Sequence, residues 1–478
     1  MFYRFDFTSP LRGIIRKAAK TLRLRAFDTS TSEGRSKERY RRVALTAIAS
    51  GIAKCISILT GLITIPLTLD YLGVERYGLW MTISSVVLIL GFADLGMGNG
   101  LLNAISEANG KDDREAAVNY VSSGFFMLLG VALLITLAFI LAYPYVPWPR
   151  VFNIKSKLAI QEAGPAITAL VAIFAVNLPL GVVQRVQLGY QEGYQTNLYQ
   201  CLGSIFGLIA VLLVIYLRGG LPWLVLSMAG GPALAVLINW VSLFRFRHPW
   251  LLPRWRSVTF TSAKRIFRIG LMFLVLHLAM AFSFASDNLV AAQVLGPEAV
   301  TQYSVPMRMF SMLPMIINMI AGSLWPAYGE AIARGELAWV RKTLIMSMII
   351  TFLTVALPSL FLVLFGVQII HFWVGPEITP SFLLLSGMGI WTMLFALGST
   401  LGMFLNGANI IRFQIFCASL FGISALLSKI FLIYIIGLPG IIWGTVICYI
   451  CFAVVPYIFY LPKIMATMNL RRAVAGPL

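Results

Sequence analysis

Twelve apolar runs, each long enough to cross a bilayer, leave this chain few folds to choose from. They fall at roughly 43–69, 77–103, 116–142, 164–189, 195–217, 221–244, 265–290, 299–325, 341–366, 380–406, 411–436 and 438–462. A helix needs about 20 apolar residues to span the hydrocarbon. Backbone polar groups have no water to bond in lipid, so such runs must satisfy them internally as helices. Only 12% of residues are charged and 59% are hydrophobic, whereas about 25% charge is usual in a soluble domain. The predicted fold is an all-α polytopic membrane protein of about 12 transmembrane helices in two pseudo-symmetric six-helix lobes.

The charge that remains is lopsided. The net charge is +19. In a soluble protein that would suggest nucleic acid; here, with no nucleic acid expected, it suggests contact with anionic membrane lipids and control of topology. With both termini placed inside, 29 of the 37 Lys/Arg fall on the inner side, and three lie within spans. The outer side holds only Arg76, Arg150, Lys155, Lys157 and Arg218. This asymmetry predicts an even number of spans with both ends cytoplasmic. The first 42 residues carry twelve Lys/Arg and no apolar h-region, so no cleavable signal peptide is expected. Within them, Leu11, Ile14, Ile15, Ala18 and Leu22 share one helical face among basic neighbours, the pattern of an amphipathic helix lying in the interface.

The longest basic interhelical stretch, 245–268, divides the spans six and six. The expected organisation is a basic tail at 1–42, an N-lobe at 43–250, and a C-lobe at 251–478 that includes the connector. A shift of 223 residues places Leu72-Gly73-Val74-Glu75 on Leu295-Gly296-Pro297-Glu298, and Glu107-Ala108 on Glu330-Ala331. Lys54 then falls on His277. Halves of six spans share a direction, so such a repeat would be parallel.

Three cations, Lys54, Arg308 and Lys429, sit inside apolar segments. A charge near the bilayer centre costs about 2.5–3.5 kcal/mol on insertion scales and is a functional candidate for that reason. Helical spacing groups Lys54 with Ser50, Ser57 and Gly61, and Arg308 with Ser304, Ser311, Asn318 and Gly322. Lys429 aligns with Gly422 and Ala425, nearer the outer surface. Such small, polar stripes should face protein or a watery cavity. Two readings stay open. In one, Lys54 or Arg308 is neutralised by Asp94 or Asp287 in structural ion pairs. In the other, the cations line a cavity for an anionic head group, and Asp94, Asp287 and the titratable His277 serve as ion-pair partners or in proton or ion coupling. Glycines 96, 98 and 100 beside Asp94 would loosen the second span or allow close packing.

Catalytic patterns are missing from the sequence. There is no phosphate-cradling glycine loop, no HExxH and no Gly-x-Ser-x-Gly. The five cysteines lie in apolar segments, and Cys448-x-x-Cys451 has no neighbouring ligands. Transport without enzyme chemistry, metal or cofactor is the expectation, driven by an ion gradient, the membrane potential or removal of product.

One stretch is more distinctive. Ile65-Pro66-Leu67, Tyr71 through Trp80, and Phe92-Ala93-Asp94-Leu95-Gly96-Met97-Gly98 resemble the start of the polysaccharide/oligosaccharide lipid flippases. These belong to the multidrug/oligosaccharidyl-lipid/polysaccharide export superfamily. The resemblance implies two six-helix lobes that alternate between inward- and outward-open states in a bacterial inner (plasma) membrane. It implies an undecaprenyl-diphosphate-linked oligosaccharide as substrate, with a polysaccharide polymerase and glycosyltransferases as partners. Cavity cations would meet the diphosphate, a role that suits Lys54, Arg308 and Lys429, with Asn318 on the same polar stripe as Arg308. Two relatives in the superfamily are rival readings: a multidrug/cation antiporter, which should favour acids and aromatics in its cavity, and the peptidoglycan lipid-precursor flippase, which usually has fourteen spans.

Overall fold

The computed structural model describes residues 26–151, 156–374, 376 and 378–462. The amphipathic pattern at 11–24 lies outside the described residues. Among the described residues the elements are helices, with no strand, and eleven are long and apolar enough to cross a membrane.

The expected second span does not form a single helix. Helix α1 (Ser32–Leu90) is interrupted at Gly73, with φ 73° and ψ 168°. The chain is helical again to Leu90, turns through 91–96, and resumes as α2 (Met97–Gly110). Leu95 and Gly96 both have positive φ. The break has a local cause. Asp94 Oδ1 accepts a hydrogen bond from the Gly96 amide at 2.8 Å, giving the backbone an alternative to the helical ladder.

The other spans are more regular. α3 (Arg114–Ala142) is capped by Asp113, which accepts from the Ala116 amide at 2.9 Å. A short α4 (Trp148–Val151) precedes α5 (Lys157–Leu180), capped by Ser156 and followed at Gly181 by α6 (Val182–Gly189). Then come α7 (Gly193–Tyr216) and α8 (Leu221–Val241). Beyond the connector lie α9 (Phe260–Leu295), α10 (Pro297–Ala333), α11 (Leu337–Val374), α12 (Phe382–Gly407), α13 (Ile411–Ile436) and α14 (Pro439–Tyr449).

The chain divides into two compact units, Met1–Gly270 and Leu271–Leu478. The division falls inside α9. The reason is that the connector packs on the first unit. Ser122 Oγ accepts from the Arg254 amide at 3.1 Å, and Ser123 Oγ from the Thr259 amide at 3.3 Å. Leu251 and Ile266 are buried in one core with Leu101, Ile105 and Val186.

In the first unit a second core joins Leu72, Leu79 and Ile83 to Ile167, Leu170 and Leu224. It lies beside a polar clasp. Arg76 grips Glu162 through two hydrogen bonds of 2.7 Å, and Glu162 Oε1 also accepts from the Leu221 amide at 3.1 Å. Tyr71 donates to the Gly219 carbonyl at 2.8 Å. Tyr71 and Arg76, both in the distinctive run, thus lace α1 to the start of α8. Helices α7 and α8 touch through small residues: a Cβ on Gly231 would lie 2.3 Å from the Gly207 nitrogen. Lipid tails give helices no hydrophobic reason to associate, so such close backbone packing holds them together.

The second unit is organised around aromatics. Trp391 on α12 stacks with Phe421 on α13 and meets Tyr449 on α14 edge-on, at centroid distances of 6.1 and 5.3 Å. Tyr303 and Phe310 on α10 complete this core.

The 223-residue offset is visible in each unit's own geometry. Gly73 has φ 73° and ψ 168°, and Gly296 has φ 91° and ψ 175°. Glu107 pairs with Lys111 one turn later, and Glu330 pairs with Arg334 at the same spacing.

Candidate functional site

The second unit holds a cavity of about 360 Å³ walled by α9, α10 and α12. Arg308 on α10 lines it, flanked on the same helix face by Ser304 and Ser311. Pro306 and Pro314 lie on either side of Arg308. Each proline lacks an N–H and so releases the carbonyl four residues earlier from the helical ladder. Arg308 is exposed, and no described carboxylate pairs with it.

Asp287 on α9 lines the same cavity, but its charge is already met. Tyr303 donates to Asp287 Oδ2 at 2.8 Å, and Lys429 forms an ion pair with Oδ1. Lys429 also donates to Ser286 Oγ at 3.3 Å and is 0% exposed. The stripe of Gly422, Ala425 and Lys429 on α13 therefore faces protein. Lys429 does not reach toward the outer surface; the structure engages it inside the unit, with Asp287. Desolvating a lysine and a carboxylate is costly, and mutual pairing with further hydrogen bonds is what offsets it. The result is a cavity whose acid is neutralised and whose arginine is not.

Asn318 and His277 lie elsewhere. Asn318 Oδ1 accepts from Ser399 Oγ at 2.5 Å. Ser399 and His277 both line a second cavity of about 250 Å³, together with Asn406 and Gln414. Gln414 donates to Asn406 Oδ1 at 2.9 Å, and the His277 ring lies 6.3 Å from that of Phe273. Phe395 borders both cavities.

In the first unit, Lys54 is exposed on α1, as is Ser57, and no described carboxylate pairs with Lys54. Asp94 does not serve as its partner. Asp94 accepts from the Gly96 and Gly98 amides at 2.8 and 3.3 Å, and its charge acts on Arg185 of α6. Arg185 donates to Asn99 Oδ1 at 3.1 Å. Gly98 leaves room for this contact: a Cβ would lie 2.6 Å from Arg185 Nε and 2.9 Å from Asp94 Oδ2, so those side chains would have to shift. Arg185, which the sequence places among the inner-side charges, is the partner that spacing alone does not reveal. Of the three glycines beside Asp94, Gly98 is the one that faces it.

Two further acids sit outside the spans. Burial pushes the Glu107 carboxyl up, but Lys111 and Arg265 outweigh it and hold Glu107 below its usual value. Burial likewise opposes ionisation of Glu192, and His248, Arg42 and Arg247 again prevail. His248 Nε2 lies 3.6 Å from Glu192 Oε1. No cluster of His, Cys, Asp and Glu fit for a metal occurs among the described residues.

Long apolar helices that pack through small residues define a polytopic membrane protein. The chain belongs to the polysaccharide biosynthesis protein family, whose model matches residues 46–332. It is 22% identical over 419 residues to a putative O-antigen transporter of Salmonella typhimurium, covering 85% of this chain and 93% of that one. It is 21% identical over 319 residues to an uncharacterized membrane protein, EpsK, of Bacillus subtilis, covering 65% and 61%. Its fold is similar to that of solved transporters of the MOP superfamily. An outward-facing multidrug resistance MATE family transporter of that superfamily superposes with a TM-score of 0.74 at 19% identity, covering 90% of this chain and 97% of that one. A MOP superfamily transporter from Pyrococcus furiosus, described as having a binding pocket of reversed polarity, gives 0.71 at 18%, covering 90% and 96%.

Proposed function

We propose that the protein is a flippase that moves a lipid-linked oligosaccharide, of the undecaprenyl-diphosphate type, from the inner to the outer leaflet of a bacterial inner membrane for surface polysaccharide synthesis. The observation that carries this reading is the unpaired Arg308 in a cavity whose acid, Asp287, is held by Lys429. An anionic head group suits such a site, and a cationic drug does not. That difference favours the flippase over a multidrug antiporter on the same fold. Kinship with O-antigen transporters supports the polysaccharide substrate.

A glycan cannot shed its water in hydrocarbon, so it needs a hydrated route, while the prenyl tail stays in lipid. Arg308 would hold a phosphate through charge-assisted hydrogen bonds. Lys54, unpaired on α1, is the second candidate for phosphate. A cation–phosphate contact contributes about 4 kcal/mol at 4 Å and intermediate dielectric, enough to orient the head group and still release it. Alternating access of the two units would carry the site between leaflets. Asn318, His277 and Asp94 would serve in the polar lining or in coupling to an ion gradient. Both termini would be cytoplasmic.

The test is surface glycan in a strain dependent on this protein. Arg308→Ala and Lys54→Ala should each lower export about tenfold or more at equal membrane abundance, since one lost contact of about 1.4 kcal/mol is already a factor of ten. Arg308→Lys should retain part of the activity. Wild-type export by both alanine variants would sink the proposal.

A further inference from the structure

The connector between α8 and α9 presents a basic surface outside the cavities described above. Residues 245–268 contain seven Lys/Arg and no acid. One of the seven, Arg265, is turned inward to Glu107 and to the Tyr120 hydroxyl, the latter at 2.6 Å. A second, Arg247, contributes to holding Glu192 ionised. The other five, Arg245, Arg254, Arg256, Lys264 and Arg268, are exposed, and none pairs with a described carboxylate.

Large aromatics alternate with these cations. Phe246 is 75% exposed, Trp255 72% and Phe260 81%. They sit where the spans end: the span of α8 runs to Arg247, and that of α9 starts at Phe260. Amphipathic rings are enriched near the membrane–water interface, where spans end. Trp255 is held in place edge-on against Phe126 at 4.9 Å, and Lys264 lies 6.0 Å over the Phe260 ring.

The opposite side of the strap is fastened to protein. Ser122 and Ser123 hold its backbone, and Leu251 and Ile266 are buried beneath it. The nearby acids Glu107 and Glu192 are already committed to Lys111, Arg265 and His248. The strap therefore has a rigid inner face and an outer face of unpaired cations and rings where the spans end. We infer that this face is a binding site for the phosphate head groups of bulk anionic phospholipids, with Phe246, Trp255 and Phe260 seated among the head groups. Charge complementarity decides the ligand class, since a zwitterionic head group would leave the five cations without net counter-charge. The inference does not rest on the transport reading.

The test uses the full-length protein in neutral detergent, titrated with phosphatidylglycerol or phosphatidylcholine, with bound lipid counted by native mass spectrometry. Wild type should prefer phosphatidylglycerol by roughly tenfold or more, because two surface cations suffice for that ratio, and salt should weaken the preference. Replacing Arg245, Arg254, Arg256, Lys264 and Arg268 together by glutamine should bring the ratio near one, with the melting temperature in lipid-free detergent unchanged. Should the fivefold variant not fold, Arg254→Gln with Arg256→Gln should lower the ratio several-fold. Equal binding of the two lipids by wild type overturns the inference. So does a preference that survives the substitutions. A third outcome also overturns it: unchanged phosphatidylglycerol binding with loss of undecaprenyl phosphate binding would assign the strap to the substrate instead.

Discussion

At the scale of single residues, the most consequential contact is the one between Lys429 and Asp287. Both are visible in the sequence as costly charges in apolar segments, and helical spacing puts Lys429 on a stripe of small residues. Their pairing is not readable there, because 142 positions separate them and only tertiary packing brings α9 against α13. Removing one partner of a buried pair leaves an uncompensated charge and costs about 3–5 kcal/mol, whereas removing both costs far less. Lys429→Met should therefore lower thermal stability in detergent sharply. Adding Asp287→Asn, which keeps an acceptor for Tyr303, should restore most of it. A double variant no more stable than Lys429→Met would show that the pair is not the source of the loss. Arg308 behaves differently. Its spacing with Ser304 and Ser311 already puts it on a polar face, and the structure sets all three on one cavity wall.

At the scale of elements, apolar length locates the spans well, and backbone exceptions decide where it fails. The run at 77–103 reads as continuous because Leu, Ile and Val dominate it; the break at 91–96 comes from Asp94 bonding back to its own loop. Gly73 and Gly296 are the opposite case. A repeat offset in the sequence aligns them, and both adopt positive φ with ψ near 170°, a region open essentially to glycine alone. A Cβ added at either would meet no atom within 4 Å, so the constraint is conformational and not one of space. Gly73→Ala and Gly296→Ala should each cost about 1–3 kcal/mol of stability. Gly130→Ala, in open space within α3, should be neutral or slightly stabilising, since alanine is the better helix former. Thermal melts of the three variants in one detergent give the comparison; equal effects at Gly73 and Gly130 would remove the conformational explanation.

At the scale of the whole molecule, the broken segment decides the topology. Eleven helices pass the test of length and apolarity among the described residues, and an odd number of crossings would put the chain ends on opposite sides. The count of 29 of the 37 Lys/Arg on one side supposes an even number, with both ends on that side. The two agree only if the residues from Val74 into the first turns of α2, helix, turn and helix together, cross the membrane as one discontinuous span. Such a span is tolerated where its open backbone is buried in protein. Here the turn is lined by the Asp94 carboxylate, and Met97, Gly98 and Asn99 just beyond it are buried. Reporter fusions resolve the point. A fluorescent reporter that matures only in the cytoplasm should glow when fused after Lys111 and at the C terminus, and alkaline phosphatase should be active only when inserted near Arg218. A cytoplasmic signal after Lys111 means that the broken segment crosses. A signal there from alkaline phosphatase instead would leave eleven spans, reverse the sidedness of every later loop, and place the basic connector on the outer face.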